Sequence, residues 1–450
     1  MKTNKLHIGN LFLVSALFMI VIALCFGILA AIVYLVPDFL KKDLGFISLR
    51  PLHVSSSLFW IIMGATGCVY SGLQIISGKA LGNKTAILQW FLWIFAILGI
   101  LISYFGKSFG GREYWEFNPL WALPIVIAWI LFLINFISLV KKIKNWPVYI
   151  WMWLTGLIFF LFTFLENYLW VFPYFRENFV NDMTIQWKVN GSLVGSWNQI
   201  LYGTAFFLMD RMDKSKSTGH SKLAFVMFFI GLFNLMFNWG HHIYTLPTEN
   251  YIRYIGYAVS MTEWIFFIKI FYDWRHSVNA IQKHYHHFPY RFLMAADFWV
   301  FINIGQSLLM SIPAINIYTH GTHITVAHAM GTTIGINSMI LFAACFEFLG
   351  FNNNPSIKRN KWLEFCFWFL QLCLIVFFLA LDMAGIKKGI WQLSEHQSSY
   401  SQMMQSLRPY FMTFLIAGIG LLIAFASLAF SLITFSFVHK RLTIKDENDN

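Results

Sequence analysis

Charge is scarce in this 450-residue sequence: Asp, Glu, Lys and Arg make up 12% of it, against about 25% in soluble domains. That deficit excludes an ordinary water-soluble globule. Cysteine is also sparse. Cys25, Cys68, Cys345, Cys366 and Cys373 all fall inside apolar runs with no paired spacing, which excludes a cysteine metal knuckle and leaves packing as their role. Alternating ten-residue strands are lacking, so a membrane barrel is excluded as well. No internal repeat occurs, and low complexity is confined to a short polar tail, "KDENDN".

What the sequence has is hydrophobicity: 58% apolar residues and a mean hydropathy of +0.62. Apolar runs of about 20 residues, enough to cross a ~30 Å hydrocarbon core as helices, recur from end to end. Twelve spans are predicted, at about 11–36, 53–77, 88–105, 120–140, 149–172, 187–209, 222–246, 252–272, 290–314, 322–350, 362–384 and 410–437. The expected architecture is an all-α, polytopic membrane protein, one integral membrane domain over 1–450. The first run is long and has no small-residue cleavage site, so it reads as a retained helix and not a signal peptide. Segments on one side of the twelve spans carry twenty Lys and Arg and those on the other carry ten. The positive-inside rule then puts both termini in the cytoplasm, with the chain in the inner membrane. The formal charge of +12 reads as topology and contact with anionic membrane lipid. The basic residues are scattered over six loops and two tails, which argues against nucleic acid.

Fourteen histidines are present. His7, His220, His276, His284, His286, His287, His396 and His439 fall in loops or tails, and the "HYHH" at 284–287 reads as a solvated loop. His53, His241, His242, His320, His323 and His328 lie at or within spans, where ionisable residues are functional candidates. The alternating directions of the helices place His53 (span two), His241 and His242 (span seven) and His328 (span ten) in the same outer half of the bilayer. Neutral imidazoles from three helices at one depth suit metal or haem ligation; the alternative for each is a hydrogen-bonded core histidine. Adjacent His241 and His242 can face one metal only where the helix end is loosened, because neighbouring residues diverge by about 100° on a regular helix. Gly240 before them and Pro247 after them permit that. Arg50, three residues before His53, and "GGREYWEF", with Arg112, Glu113 and Glu116, supply outer-side groups. Arginines there suit bidentate pairing with the carboxylates a haem carries, and the glutamates suit a hard cation such as calcium; the alternative is an ordinary solvated loop.

Twelve spans, "RPLH" at the second, "GREYWEF" before the fourth, "GHHIYTL" ending the seventh and "YTHGTHITVAH" in the tenth resemble the haem–copper oxidase superfamily, in particular the catalytic large subunit of bacterial nitric oxide reductases. The resemblance covers nearly the whole chain and implies the subunit I fold of that superfamily. It implies two b-type haems: a low-spin one on His53 and a high-spin one on His328. It implies a non-haem iron or copper on His241 and His242, propionate partners in Arg50 and Arg112, a calcium ligand in Glu113, and a catalytic glutamate, Glu263, in span eight. Three departures stand out. The third metal histidine belongs in span six, where "WKVNGSLVGSWN" places Asn190. The iron-binding glutamate of the reductases is matched by Val194, with another acidic position at Asn198. The family's H-x-H in span ten is "HAM", so Met330 stands where the second low-spin ligand belongs; a thioether there raises the haem potential, the alternative being that Met330 only packs.

The resemblance implies nitric oxide as the gaseous substrate, two NO giving N2O. No C-x-x-C-H is present, so electrons are expected from a separate membrane-anchored cytochrome c subunit. An oxygen-reducing pump is disfavoured, because the tyrosine of oxidases is absent from the matching positions. Tyr244 is expected at the surface, and Lys188 is the only buried charge expected in span six. Two alternatives remain: dismutation of two NO to N2 and O2, and a non-catalytic haem subunit for electron transfer or NO sensing.

Overall fold

The computed structural model describes residues 7–78, 84–213, 215, 217–262, 264–351, 360–395 and 397–448. Glu263 and His396 lie outside the described residues, as do Lys79, Lys214, Lys216, Lys358 and Arg359 from the loops that orient the chain.

Helices form on every predicted apolar run, with the eighth interrupted. The first five spans are α1 (Ile8–Leu35), α2 (Gly45–Ser77), α3 (Lys84–Phe105), α4 (Ala122–Val140) and α5 (Val148–Glu166). α3, α4 and α5 each bury one face against their neighbours and leave Phe, Leu and Ile on the other, while α2 is buried on nearly all sides, the pattern of a bundle whose outer surface meets lipid tails. Among the described residues, ten helical segments are long and apolar enough to cross a membrane. The sixth and eighth predicted spans are not among them, each for its own reason. The sixth, α6 (Phe179–Met212), is a continuous helix of 34 residues, started by Asn178, whose side chain accepts from Asn181 N. Its Asn, Ser, Gln and Lys side chains lower its hydropathy because much of it faces the interior. The eighth is broken in two, α8 (Asn250–Ser260) and α9 (Trp264–Ser277).

The seventh span begins as a regular helix, α7 (Lys222–Phe237), capped by Ser221, and then tightens into a 3₁₀ turn over Asn238–Ile243. The turn lies against α8 at a glycine pair. A Cβ on Gly240 would sit 2.9 Å from the Ile252 carbonyl and 3.2 Å from Gly256 Cα, so only glycine permits the crossing there. The ninth span is α10 (His287–Ser311). The tenth is α11 (His323–Met330), a π-helical stretch over Gly331–Ser338, and α12 (Met339–Phe348). A π-helical stretch often marks a functional site, and this one follows His328 and Met330 directly. Trp60 of α2 donates to Ser338 Oγ at 2.9 Å, and Ser338 Oγ donates to Thr333 O at 2.8 Å. The last two spans are α13 (Lys361–Leu393) and α14 (Tyr400–Asn448); α14 packs against both α13 and α1, so the end of the chain closes on its beginning.

A chain of buried polar side chains links α2, α3 and α4. Tyr70 donates to Gln89, Asn135 Nδ2 donates to Tyr70 Oη at 3.0 Å, and Thr85 donates to Asn135 Oδ1 at 2.6 Å. All five cysteines are unpaired thiols in spans; only Cys25 reaches the surface.

Candidate functional site

One cavity of about 540 Å³ runs between α1, α2, α6, α7 and the tenth span. Arg50, His53, Glu113, Asn190, Val194, Asn198, His241, His242, His328 and Met330 all line it. Of the residues singled out in the sequence, Arg112, Glu116 and His320 are not on its wall, and Glu263 lies outside the described residues.

The spacing of His328 and Met330 gives the cavity two compartments. Two residues along a helix is a turn of roughly 200°, so the two side chains leave α11 on opposite sides at nearly the same depth. The Met330 side faces α1 and α2. There the His53 Nδ1–H donates to the Ala23 carbonyl at 2.8 Å. This bond fixes the ring and leaves Nε2 as a free lone pair, the arrangement of an imidazole held ready for a metal. Gly27 makes room for the ring: a Cβ at Gly27 would sit 2.8 Å from His53 Nδ1. A low-spin haem would take an apolar slot with two axial donors, and His53 and Met330 on one cavity, with His53 Nε2 left open, fit that requirement.

The His328 side faces α6 and the 3₁₀ turn. The His328 ring approaches the backbone of Asn303 in α10, and its Nδ1 is buried without a hydrogen bond. His241 and His242 sit with ring centres 4.2 Å apart, planes tilted by 41°. The loosened helix end is what brings them together. Ser260 of α8 donates its hydroxyl proton to Asn238 Oδ1 at 2.7 Å, so its oxygen can accept from His241 Nδ1 at 3.3 Å. The His242 ring is stacked on Trp187 of α6, 4.9 Å between centres and 8° between planes. Asn190, one turn further along α6, is buried, and neither its Oδ1 nor its Nδ2 has a partner. A buried amide left so costs about 1–3 kcal/mol per group, an expense explained if the side chain meets a bound group in the cavity. The oxygens of Asn198 and Asn234, also on the cavity wall, are unpartnered too. Among the described residues no three His, Cys, Asp or Glu side chains are arranged to hold one metal. The donor set facing His328 is therefore two imidazoles and an amide, which suits a borderline metal held loosely.

The outer rim is built from ion pairs. Arg50 donates to Glu116 at 2.5 Å and to Glu113 at 2.7 Å. Arg112 pairs with both oxygens of Asp182 at 2.8 and 2.9 Å and lies over the Trp170 ring at 4.9 Å. Burial pushes the Glu116 carboxyl upward, with Arg50 opposing. In place of haem carboxylates these guanidinium groups grip carboxylates of the protein. Glu113 is taken up by Arg50, and no further His, Cys, Asp or Glu side chains join it in a metal-binding group among the described residues.

Three expectations from the sequence need correction. Tyr244 is not a surface residue: it is buried, and its hydroxyl donates to Ser311 O at 3.0 Å. The "HYHH" run is not a solvated loop throughout. His286 is buried, with Nδ1 2.8 Å from Glu347, which also receives Arg211; His287 bonds Glu364 at 3.0 Å. Lys188 is not an isolated buried charge: it pairs with Glu166 of α5, and both are about 30% exposed. Two neighbours of the histidine pair carried no signal. Trp187 is one of 19 tryptophans, and Ser260 acts across a helix–helix contact.

A multi-pass helical bundle with histidines from spans two, seven and ten converging on one intramembrane cavity defines a haem–copper oxidase type of protein. The chain matches the family described as cytochrome c and quinol oxidase polypeptide I over residues 7–423, and it belongs to that family. It is 24% identical over 470 aligned positions to a nitric oxide reductase subunit of Stutzerimonas stutzeri, covering 96% of this chain and 95% of that one. It is 23% identical to cytochrome c oxidase subunit 1 of Rhodobacter capsulatus, covering 85% and 75%. A haem–copper terminal oxidase dimer solved by cryo-EM shares the fold, with a TM-score of 0.72 at 13% identity over 96% of this chain and 84% of that one. The family is one of membrane oxidoreductases that bind haems and a non-haem metal and work with partner subunits on gaseous substrates.

Proposed function

We propose that this chain is the catalytic subunit of a nitric oxide reductase-type enzyme. It would convert two NO, two electrons and two protons to N2O and water, with electrons from a membrane-anchored cytochrome c partner. The observation that carries the reading is the convergence of His53, Met330, His328, His241 and His242 on one cavity, in a chain similar end to end to a subunit of a nitric oxide reductase. His53 and Met330 hold the low-spin b-type haem, and His328 holds the high-spin one. His241 and His242, with the Asn190 amide, hold a non-haem iron or copper. When bound, the paired metals supply the electrons and a seat in which two NO molecules meet, where proximity and positive charge favour N–N bond formation.

The chain's own residues set the conditions. Ser260 and Trp187 fix the two imidazole planes. Val194 and the apolar walls keep bulk water away. Asn190, Asn198 and Asn234 offer polar atoms to water or substrate oxygen on the side away from the haem slot. Glu263, assigned from its sequence match, delivers protons. Arg50 and Arg112 hold the outer rim over the haem edge, where Glu113 would join a calcium site only by leaving its pair with Arg50. The chain is one integral domain of an inner membrane with both termini cytoplasmic.

The test is gas analysis of purified protein under anaerobic isotopically labelled NO with a reduced donor. Labelled N2O supports the reading. Labelled N2 with O2 instead would show dismutation. A non-catalytic haem subunit, the reading favoured by the lack of a three-ligand metal group among the described residues, would release neither gas.

A further inference from the structure

Asp382 is an acidic side chain in the long apolar helix α13, a placement that marks function more often than packing. It lies near the end of the apolar run, within two turns of Lys387 and Lys388, which donate to the Ser406 and Gly321 carbonyls at 3.1 Å each. Its partner stands across a helix contact: Gln306 Nε2 of α10 donates to Asp382 Oδ1 at 2.6 Å. Among the described residues no basic side chain pairs with this carboxyl. Leu381 beside Asp382 and Ser307 beside Gln306 both line the cavity, so the pair is one position from the cavity wall on each helix.

From Gln306 a file of polar groups leads toward His328. Gln306 Oε1 is buried without a partner, and so is Asn303 Oδ1, one turn earlier on the same face of α10. Asn303 Nδ2 donates to Thr332 Oγ1 at 2.7 Å, and Thr332 Oγ1 donates to the His328 carbonyl at 3.2 Å. Thr332 is on the cavity wall. Glycine at 331 admits the Asn303 amide, which a Cβ there would overlap. A clamp between helices needs only the Gln306 N–H, and each orphaned oxygen costs about 1–3 kcal/mol. Side chains three apart on a helix are about 5–6 Å apart at Cβ. One water crosses such a gap with two hydrogen bonds of about 2.8 Å and satisfies both oxygens.

We propose that Asp382 is a proton-relay residue for the His328 side of the cavity, passing protons from the end of α13 through a water held by Gln306 and Asn303 to the cavity at Thr332. The route is separate from Glu263. In each transfer the carboxyl O–H bond breaks and its proton goes to the water, which hands a proton on to the cavity. The carboxylate left behind takes a proton from solvent at the end of α13. No electron moves along the route, and its protons are among those that reduction of two NO consumes. Gln306 orients the carboxyl and Asn303 orients the water.

The inference rests on the proposed NO chemistry, and the experiment separates the two. Reduced, haem-loaded enzyme is mixed with NO and a pH-indicator dye, and proton uptake and haem oxidation are followed together in the wild type, Asp382→Asn and Asp382→Glu. Haem absorbance before mixing reports folding. Both processes slowed by about 100-fold in Asp382→Asn and largely recovered in Asp382→Glu, with haem content unchanged, support the relay. Unchanged uptake in Asp382→Asn overturns it and leaves the NO reading standing. A wild type that takes up no protons with NO counts against the NO reading, and the infrared difference spectrum on reducing the haems then decides the relay. A carboxylic C=O band that shifts on reduction and is absent from Asp382→Asn supports it; no such band overturns it.

Discussion

The Met330 side of the cavity and the His328 side are built differently. On the first, a histidine fixed by a backbone carbonyl shares the cavity wall with a methionine, and two arginines clamp the rim with carboxylates. On the second, two histidines ride on a loosened helix end, and the facing wall of α6 offers an amide and a valine. The first offers the two donors that the proposed low-spin haem would take. The second has the two imidazoles of one short stretch of chain and, from α6, Asn190 and Val194 where the resemblance implies a histidine and a glutamate. On the proposed reading, electron delivery to the cavity and chemistry within it use different side chains of α11 and different facing helices, so the second can change while the first stays intact.

The strongest way to break that comparison is at its shared element. His328→Ala should remove the high-spin haem and abolish NO turnover while the low-spin haem stays, read by haem quantification and absorption spectra; loss of both haems would show that the two sides are not separable. Next, His241→Ala or His242→Ala should lower non-haem metal affinity by about 100-fold or more with both haems retained, measured by elemental analysis. Asn190→His sharpens the contrast from the other direction: restoring a span-six imidazole should raise metal retention by about 10–100-fold in competition with a chelator. On the Met330 side, Met330→His should lower the low-spin potential by a fraction of the ~0.8 V range that axial ligands span and give a bis-histidine spectrum; an unchanged redox titration would show that Met330 only packs. The smallest change expected is Gly27→Ala. Its Cβ must push the His53 ring, so the low-spin absorption bands should shift at a stability cost of about 1–3 kcal/mol, with metal content untouched.

The membrane passes were legible because each apolar run is long enough to span and carries its own punctuation, as at Asn178 and Ser221. The common depth of His53, His241, His242 and His328 was legible from alternating helix direction alone, and the loosened end of α7 from Gly240. Other features depend on pairings between distant segments, which periodicity does not report. Glu347 buries His286 from 61 positions away, Ser311 satisfies Tyr244 across the α10 end, and Glu166 meets Lys188 across a helix turn and loop. The break in span eight is invisible to hydropathy because both halves stay apolar on one side. Trp187 looks like any other tryptophan until its ring is seen flat on His242. His320 reads as a span-end residue until Asn316 is seen to tie its turn to His241.

The most direct measurement is the haem and non-haem metal stoichiometry of the purified wild-type chain, by pyridine haemochrome assay and elemental analysis on the same sample. Under the proposed function, two b-type haems and one non-haem iron or copper per chain are expected. One haem, or two haems with no non-haem metal in protein that keeps its native activity, would contradict it.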